Sequence, residues 1–99
     1  MSQLRFGVVW VTAASRDEAA AIAQALVAQK LAACVNIFPI HSIYTWDGAV
    51  QQGDEWQLVI KTDLDHWSVL SKTIQSLHSY DVPECIAVPI INGMPEYLS

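Results

Sequence analysis

Four strand-like runs and two capped helical stretches follow one another along the 99-residue chain in the order βαββαβ. Prolines enter only the second and fourth strands, and an Asp-Gly turn joins the two longest runs. Together these observations predict an α+β fold, a ferredoxin-like sandwich with two helices on one face of an antiparallel sheet of strand order 4-1-3-2. The whole of residues 1–99 reads as a single domain.

The first strand covers residues 4–12, where Val8, Val9, Trp10, Val11 and Thr12 make a β-branched and aromatic run suited to burial on both faces. Ser15 and Glu18 then form S-x-x-E, a capping box that satisfies free backbone amides at a helix start. Ala19, Ile22, Ala23, Leu26 and Val27 recur at helical spacing, carrying that helix to about Leu31 with one face on the sheet. Residues 33–46 and 50–61 are long strands joined by Asp47-Gly48, with Gly53 as an expected bulge. Both exceed the usual strand length of about 5–6 residues. The hairpin should therefore overhang the domain. Thr62 and Asp65 give a second capping signal, and Leu64, Trp67, Leu70, Ile74 and Leu77 line one face of a helix ending near His78. Residues 85–91 form the last strand, and Asn92-Gly93 turns out of it. Pro39 and Pro89 cannot donate to a ladder, which suits the two edge strands of this topology.

Hydrophobic residues make up 53% of the chain and charged residues 15%, against a usual charged share of about 25%. That excess of apolar surface points to an oligomer. Ten acids against five bases give a formal charge of −5 with no basic cluster, so nucleic acid has little to hold. The run 6–14 has only Arg5 before it and a helix directly after it, unlike a signal peptide, and no apolar run reaches the roughly 18 residues that span a bilayer. The chain reads as soluble and cytoplasmic. Cys34 and Cys85 fall on opposite sheet edges, about 14 Å apart, too far for a disulfide.

Five stretches, KLAACVNIFP (30–39), SIYTWDG (42–48), EWQLVIKT (55–62), HSYDVPECIAVPI (78–90) and GMPEYLS (93–99), resemble the CutA proteins associated with divalent cation tolerance. With the matching helices they cover nearly the entire chain. The resemblance implies a ferredoxin-like protomer, a homotrimer built through long hairpins and edge strands, binding of copper or another divalent cation, and a likeness to PII signalling proteins. Two departures are visible: the family usually has His-Pro-Tyr where this chain has His78-Ser79-Tyr80, and it continues past the final Tyr-Leu pair, where this chain stops at Ser99. The C-terminal segment is expected to be short or truncated.

Cys34, in the matching Ala-Ala-Cys motif, is the first candidate for a soft copper ligand, although a free cysteine in so apolar a context also packs as a small hydrophobe. His78 is the second metal candidate, and equally a residue that could cap the helix end. Cys85, His41 and His66 read as packing or solvated residues. No C-x-x-C, H-x-x-x-H or acidic calcium loop occurs, so a metal site would be assembled from single ligands, across subunits. A second constellation, Lys61, Tyr80, Glu84, Glu55 and Trp46, could line a cleft for a small metabolite in a PII-like regulatory module. Its plainer reading is an ion pair of Lys61 with Glu84 or Glu55 beside interface aromatics. With no nucleophile elbow or phosphate loop, the chain reads as a binding protein and not an enzyme.

Overall fold

A computed structural model describes residues 5–98. In chain order the elements are β1 (Phe6–Ala13), α1 (Arg16–Ala28), β2 (Cys34–Trp46), β3 (Ala49–Asp63), a 3-10 turn (Leu64–His66), α2 (Trp67–Leu77), β4 (Ile86–Pro89) and α3 (Pro95–Leu98). The strands form one antiparallel sheet of order β2-β3-β1-β4, the expected order read from the other edge. Both prolines lie on edge strands, as their missing donors require.

β1 and β3 form the sheet's centre, and alternate residues feed the core. Val9, Val11, Leu58 and Ile60 pack beneath Ile22 and Leu26 of α1 and Leu70 and Ile74 of α2, each at most 1% exposed. Burying each such side chain stabilises the fold by about 1.5–3 kcal/mol relative to leaving it in water. The register sends Val8, Trp10, Phe38, Val59, Ile86 and Val88 to the opposite face. There Phe38, Ile86 and Val88 are exposed.

α1 starts as the sequence indicates: Ser15 Oγ accepts the Glu18 N–H at 3.1 Å, and Glu18 Oε1 accepts the Ala14 N–H at 3.2 Å, one residue upstream of the usual capping-box partner. The helix ends three residues before Leu31. Lys30 adopts φ 60°, and Lys30 and Leu31 donate to the carbonyls of Val27 and Leu26, a left-handed stop of the Schellman type with lysine where glycine is usual.

The hairpin corrects a second expectation. Its ladder runs without interruption from Cys34 opposite Lys61 to Trp46 opposite Ala49, and Gly53 faces Ser42 in regular register instead of forming a bulge. Asp47 (φ 55°) and Gly48 (φ 77°) close a two-residue turn, so every residue in the two paired segments has a partner and none is left over to bulge. The arms do project from the body, giving the molecule a longest dimension of 45 Å.

Thr62 does not cap the second helix. Its hydroxyl donates to the Leu31 carbonyl at 2.6 Å, and Asp63 is the cap, accepting the Asp65 N–H at 2.9 Å ahead of the 3-10 turn. That turn rotates the helix, leaving Leu70 and Ile74 buried while Trp67 and Leu77 are exposed. β4 is shorter than residues 85–91: Ile90 still donates to Phe6 at 2.9 Å, but the chain then leaves the sheet and forms α3, which the sequence reading did not anticipate.

Gly7 marks the tightest approach in the sheet. A Cβ there would lie 2.6 Å from Leu64 Cδ2 and 2.9 Å from the Val88 carbonyl oxygen, which β-pairing holds in place. Gly7→Ala should lower unfolding free energy by about 1–3 kcal/mol, read as a shifted urea midpoint at unchanged slope.

Candidate functional site

The site residues anticipated from sequence separate into three places. At the junction after α2, His78 leaves the helix with extended backbone and a fully buried side chain. Its Nε2 lies 2.6 Å from the Thr12 carbonyl, and its Nδ1 accepts the Tyr80 N–H at 3.0 Å. These bonds specify the tautomer: the proton is on Nε2, donated to Thr12, and Nδ1 is the acceptor. Neither nitrogen retains a lone pair for a metal. His78 therefore pins the chain leaving α2 to the end of β1.

Glu18 completes this junction. Besides its capping bond, its Oε2 accepts the Ser79 N–H at 2.6 Å and lies 3.7 Å from His78 Nδ1. Burial works to raise its pKa, but the bonds from Ser79 and Ala14 outweigh it, so the carboxyl titrates below its usual value. One acid thus ties the start of α1 to the end of α2. Tyr80 Oη donates to Glu55 Oε2 at 3.0 Å, its ring 4.7 Å from that of His78. Burial, reinforced by Glu55, pushes the phenol up to about 12, so it stays a donor at neutral pH.

Cys34 and Lys61 occupy the second place, opposite each other at the base of the hairpin. Lys61 does not pair with Glu84 or Glu55; its Nζ donates to Asn36 Oδ1 at 2.5 Å. Lys61 also faces Val8 of β1, four residues before Thr12. At about 3.3 Å per residue, Cys34 and the His78 anchor lie roughly 13 Å apart along the strands. The two expected metal ligands are not brought together in one protomer, and among the described residues no group of three or more His, Cys, Asp or Glu side chains could hold a metal ion.

The third place is the periphery. Trp46 is 70% exposed at the hairpin tip, and Glu84 is exposed in the loop before β4. Glu84 and burial both raise the Cys85 thiol pKa, burial more strongly. Cys34 and Cys85 are both free, on opposite edges of the sheet. His41 lies 2.9 Å from Asp54 Oδ1 and 3.0 Å from Gln52 Oε1 across the hairpin.

Of the anticipated residues, His78, Tyr80 and Glu55 meet in one chain of bonds, and Cys34 faces Lys61 across the ladder. Sequence reasoning credited Glu18 with a cap and missed its hold on Ser79, because that bond crosses 61 positions. It gave Arg5 and Lys30 no site role and read His66 as solvated, whereas all three line a cleft with Cys34 and Lys61. The left-handed end of α1 puts Lys30 there.

Residues 7–99 match the family described as CutA1 divalent ion tolerance protein. The chain belongs to this family. It is 46% identical over 92 residues to the divalent-cation tolerance protein CutA of Thermus thermophilus, covering 92% of this chain and 89% of that one. It is also 46% identical over 92 residues to the chloroplastic protein CutA of Arabidopsis thaliana, of which it spans 50%. The solved structure of the periplasmic divalent cation tolerance protein CutA from Archaeoglobus fulgidus superposes with a TM-score of 0.92 at 38% identity, covering 94% of this chain and 91% of that one. Among the described residues, no helix is long and apolar enough to cross a membrane.

Two outcomes follow from the junction. His78→Ala should destabilise the fold by about 2–3 kcal/mol in urea titrations, because it strands the Thr12 carbonyl and the Tyr80 amide, while leaving copper affinity in chelator competition unchanged. Glu18 has a depressed folded pKa, so its contribution is present above its unfolded value, near 4.5, and is lost as pH falls through the lower folded value. Glu18→Gln should therefore cost about 1–2 kcal/mol at neutral pH, with the gap from wild type narrowing below about pH 4.5.

Proposed function

We propose that this chain acts in cytoplasmic divalent-cation tolerance as a homotrimeric binding protein, offering single metal ligands that are completed between protomers. The observation that carries assembly is the uncovered sheet face. Phe38, Ile86 and Val88 lie on it, and the projecting hairpin adds Ile43, Trp46 and Val50, 69–76% exposed. An apolar face continuous with two sheet edges is the surface a second copy covers. The family's and relatives' shared description as divalent cation tolerance proteins supports the role, and two unbridged thiols suit a reducing compartment.

Cys34 is the metal ligand each protomer offers. It sits half-buried on the edge strand, where another protomer's donors can reach its sulfur, and thiolate selects copper in its reduced state. His78 serves the fold. Glu55 with Tyr80 forms a structural pair, and Lys61 belongs to a different cleft.

Native mass measurement should return three copies, and Phe38→Glu with Val88→Glu should reduce the mass to that of smaller species. Chelator-competition titration with copper in both oxidation states should show a site lost in Cys34→Ser. A single-copy wild type would overturn the assembly, and an unchanged affinity in Cys34→Ser would overturn the ligand assignment.

A further inference from the structure

The open cleft of about 920 Å³ at the base of the sheet, where β1 begins, β3 ends and α1 gives way to β2, collects charge against the trend of the chain. Three of the five Lys and Arg residues line it, Arg5, Lys30 and Lys61, with Asp63 as the one acid among its described lining residues. Asp63 is already committed: Arg5 Nε donates to it at 2.6 Å, and the Asp65 amide and that guanidinium hold its carboxyl below the usual range. Lys61 is bonded to the neutral Asn36, and Lys30 has no carboxylate within ion-pair distance among the described residues. Two lysines therefore bring to one concave surface of an acidic protein positive charge that no carboxylate among the described residues pairs with.

Two further observations point to a ligand. Lys30 is held at φ 60°, a conformation costing a residue with a Cβ about 1–2 kcal/mol, which glycine would adopt freely. Strain of this kind concentrates where a side chain has work to do. His66 lines the same cleft, and its Nδ1 is buried with no hydrogen-bond partner. Carrying a proton, that nitrogen is a donor for an incoming oxygen. The remaining wall is apolar, with Phe6, Leu31, Ile90 and Leu98.

We propose that this cleft binds a small organic anion, a carboxylate or phosphate ester on a short apolar body, with Lys30 and Lys61 on the anionic group and Phe6, Leu31 and Leu98 around the carbon chain. The apolar wall disfavours a fully hydrated inorganic ion. The site needs neither bound copper nor the ligand role of Cys34.

The test uses the assembled protein freed of metal by chelator, with hexyl phosphate, hexanoate, inorganic phosphate and hexanol as probes, followed by calorimetry and by amide and imidazole chemical shifts. Hexyl phosphate or hexanoate should bind saturably and perturb Lys30, Lys61 and His66, and the stronger of the two identifies the head group. Hexanol and inorganic phosphate should bind at least about tenfold more weakly, since each lacks half of the recognition. Lys30→Gly relieves the left-handed strain and should unfold later than wild type, yet lose about tenfold or more in affinity; Lys61→Gln should lose as much. Loss of affinity in a more stable variant separates binding from folding. Equal affinity in both variants, equal binding of hexanol, or shifts confined to other parts of the sheet would overturn the proposal. Because metal is absent throughout, none of these results bears on copper.

Discussion

β3 is the strand on which the rest of the molecule depends. It pairs with β2 along Ala49–Lys61 and with β1 along Trp56–Asp63, so its register sets which side chains face the helices on three strands at once. A slip of one residue would move Leu58 and Ile60 from the core to the open face and bring Lys61 and Gln57 inward. The tight Asp47-Gly48 turn removes that freedom at one end. At the other, Asp63 binds Arg5 and caps the following turn, which locks β3 to the start of β1.

The polar side chains divide between the two ends of this ladder. Around His78 the bonds reach three distant elements, Thr12 from β1, Glu18 from α1 and Glu55 from β3 through Tyr80, while the Tyr80 amide occupies Nδ1 locally. Such closed networks give a fold a single arrangement and leave little for an external ligand. At the Lys61 end the accounting is incomplete, with cations outnumbering acids and an unpartnered ring nitrogen on His66.

Most of the architecture is legible in the sequence because its causes are local. Ser15 and Glu18 start a helix through bonds spanning three or four positions, Asp47-Gly48 supplies the backbone angles of a tight turn, and alternation along β1 and β3 marks the core face. The errors share a cause of another kind. Thr62 has the residue type and spacing of a cap but is claimed by Leu31, and Gly53 has the residue type of a bulge where an uninterrupted register leaves none. The Lys30 stop is a lysine in a place where glycine is the usual signal, so composition gave no warning.

The sequence by itself determined the order of the elements, the edge placement of Pro39 and Pro89, the separation of the two cysteines and the family to which the chain belongs. These depend on residue type and spacing, which periodicity and backbone chemistry translate directly into structure. Only the tertiary structure decided what the polar residues do: that His78 is consumed by the backbone, that Glu18 joins two helices, and that Lys61 keeps company with Lys30 and Arg5 instead of Glu84. A side chain's chemistry depends on which of its hydrogen-bonding atoms are already taken, and the partners that take them lie tens of positions away along the chain.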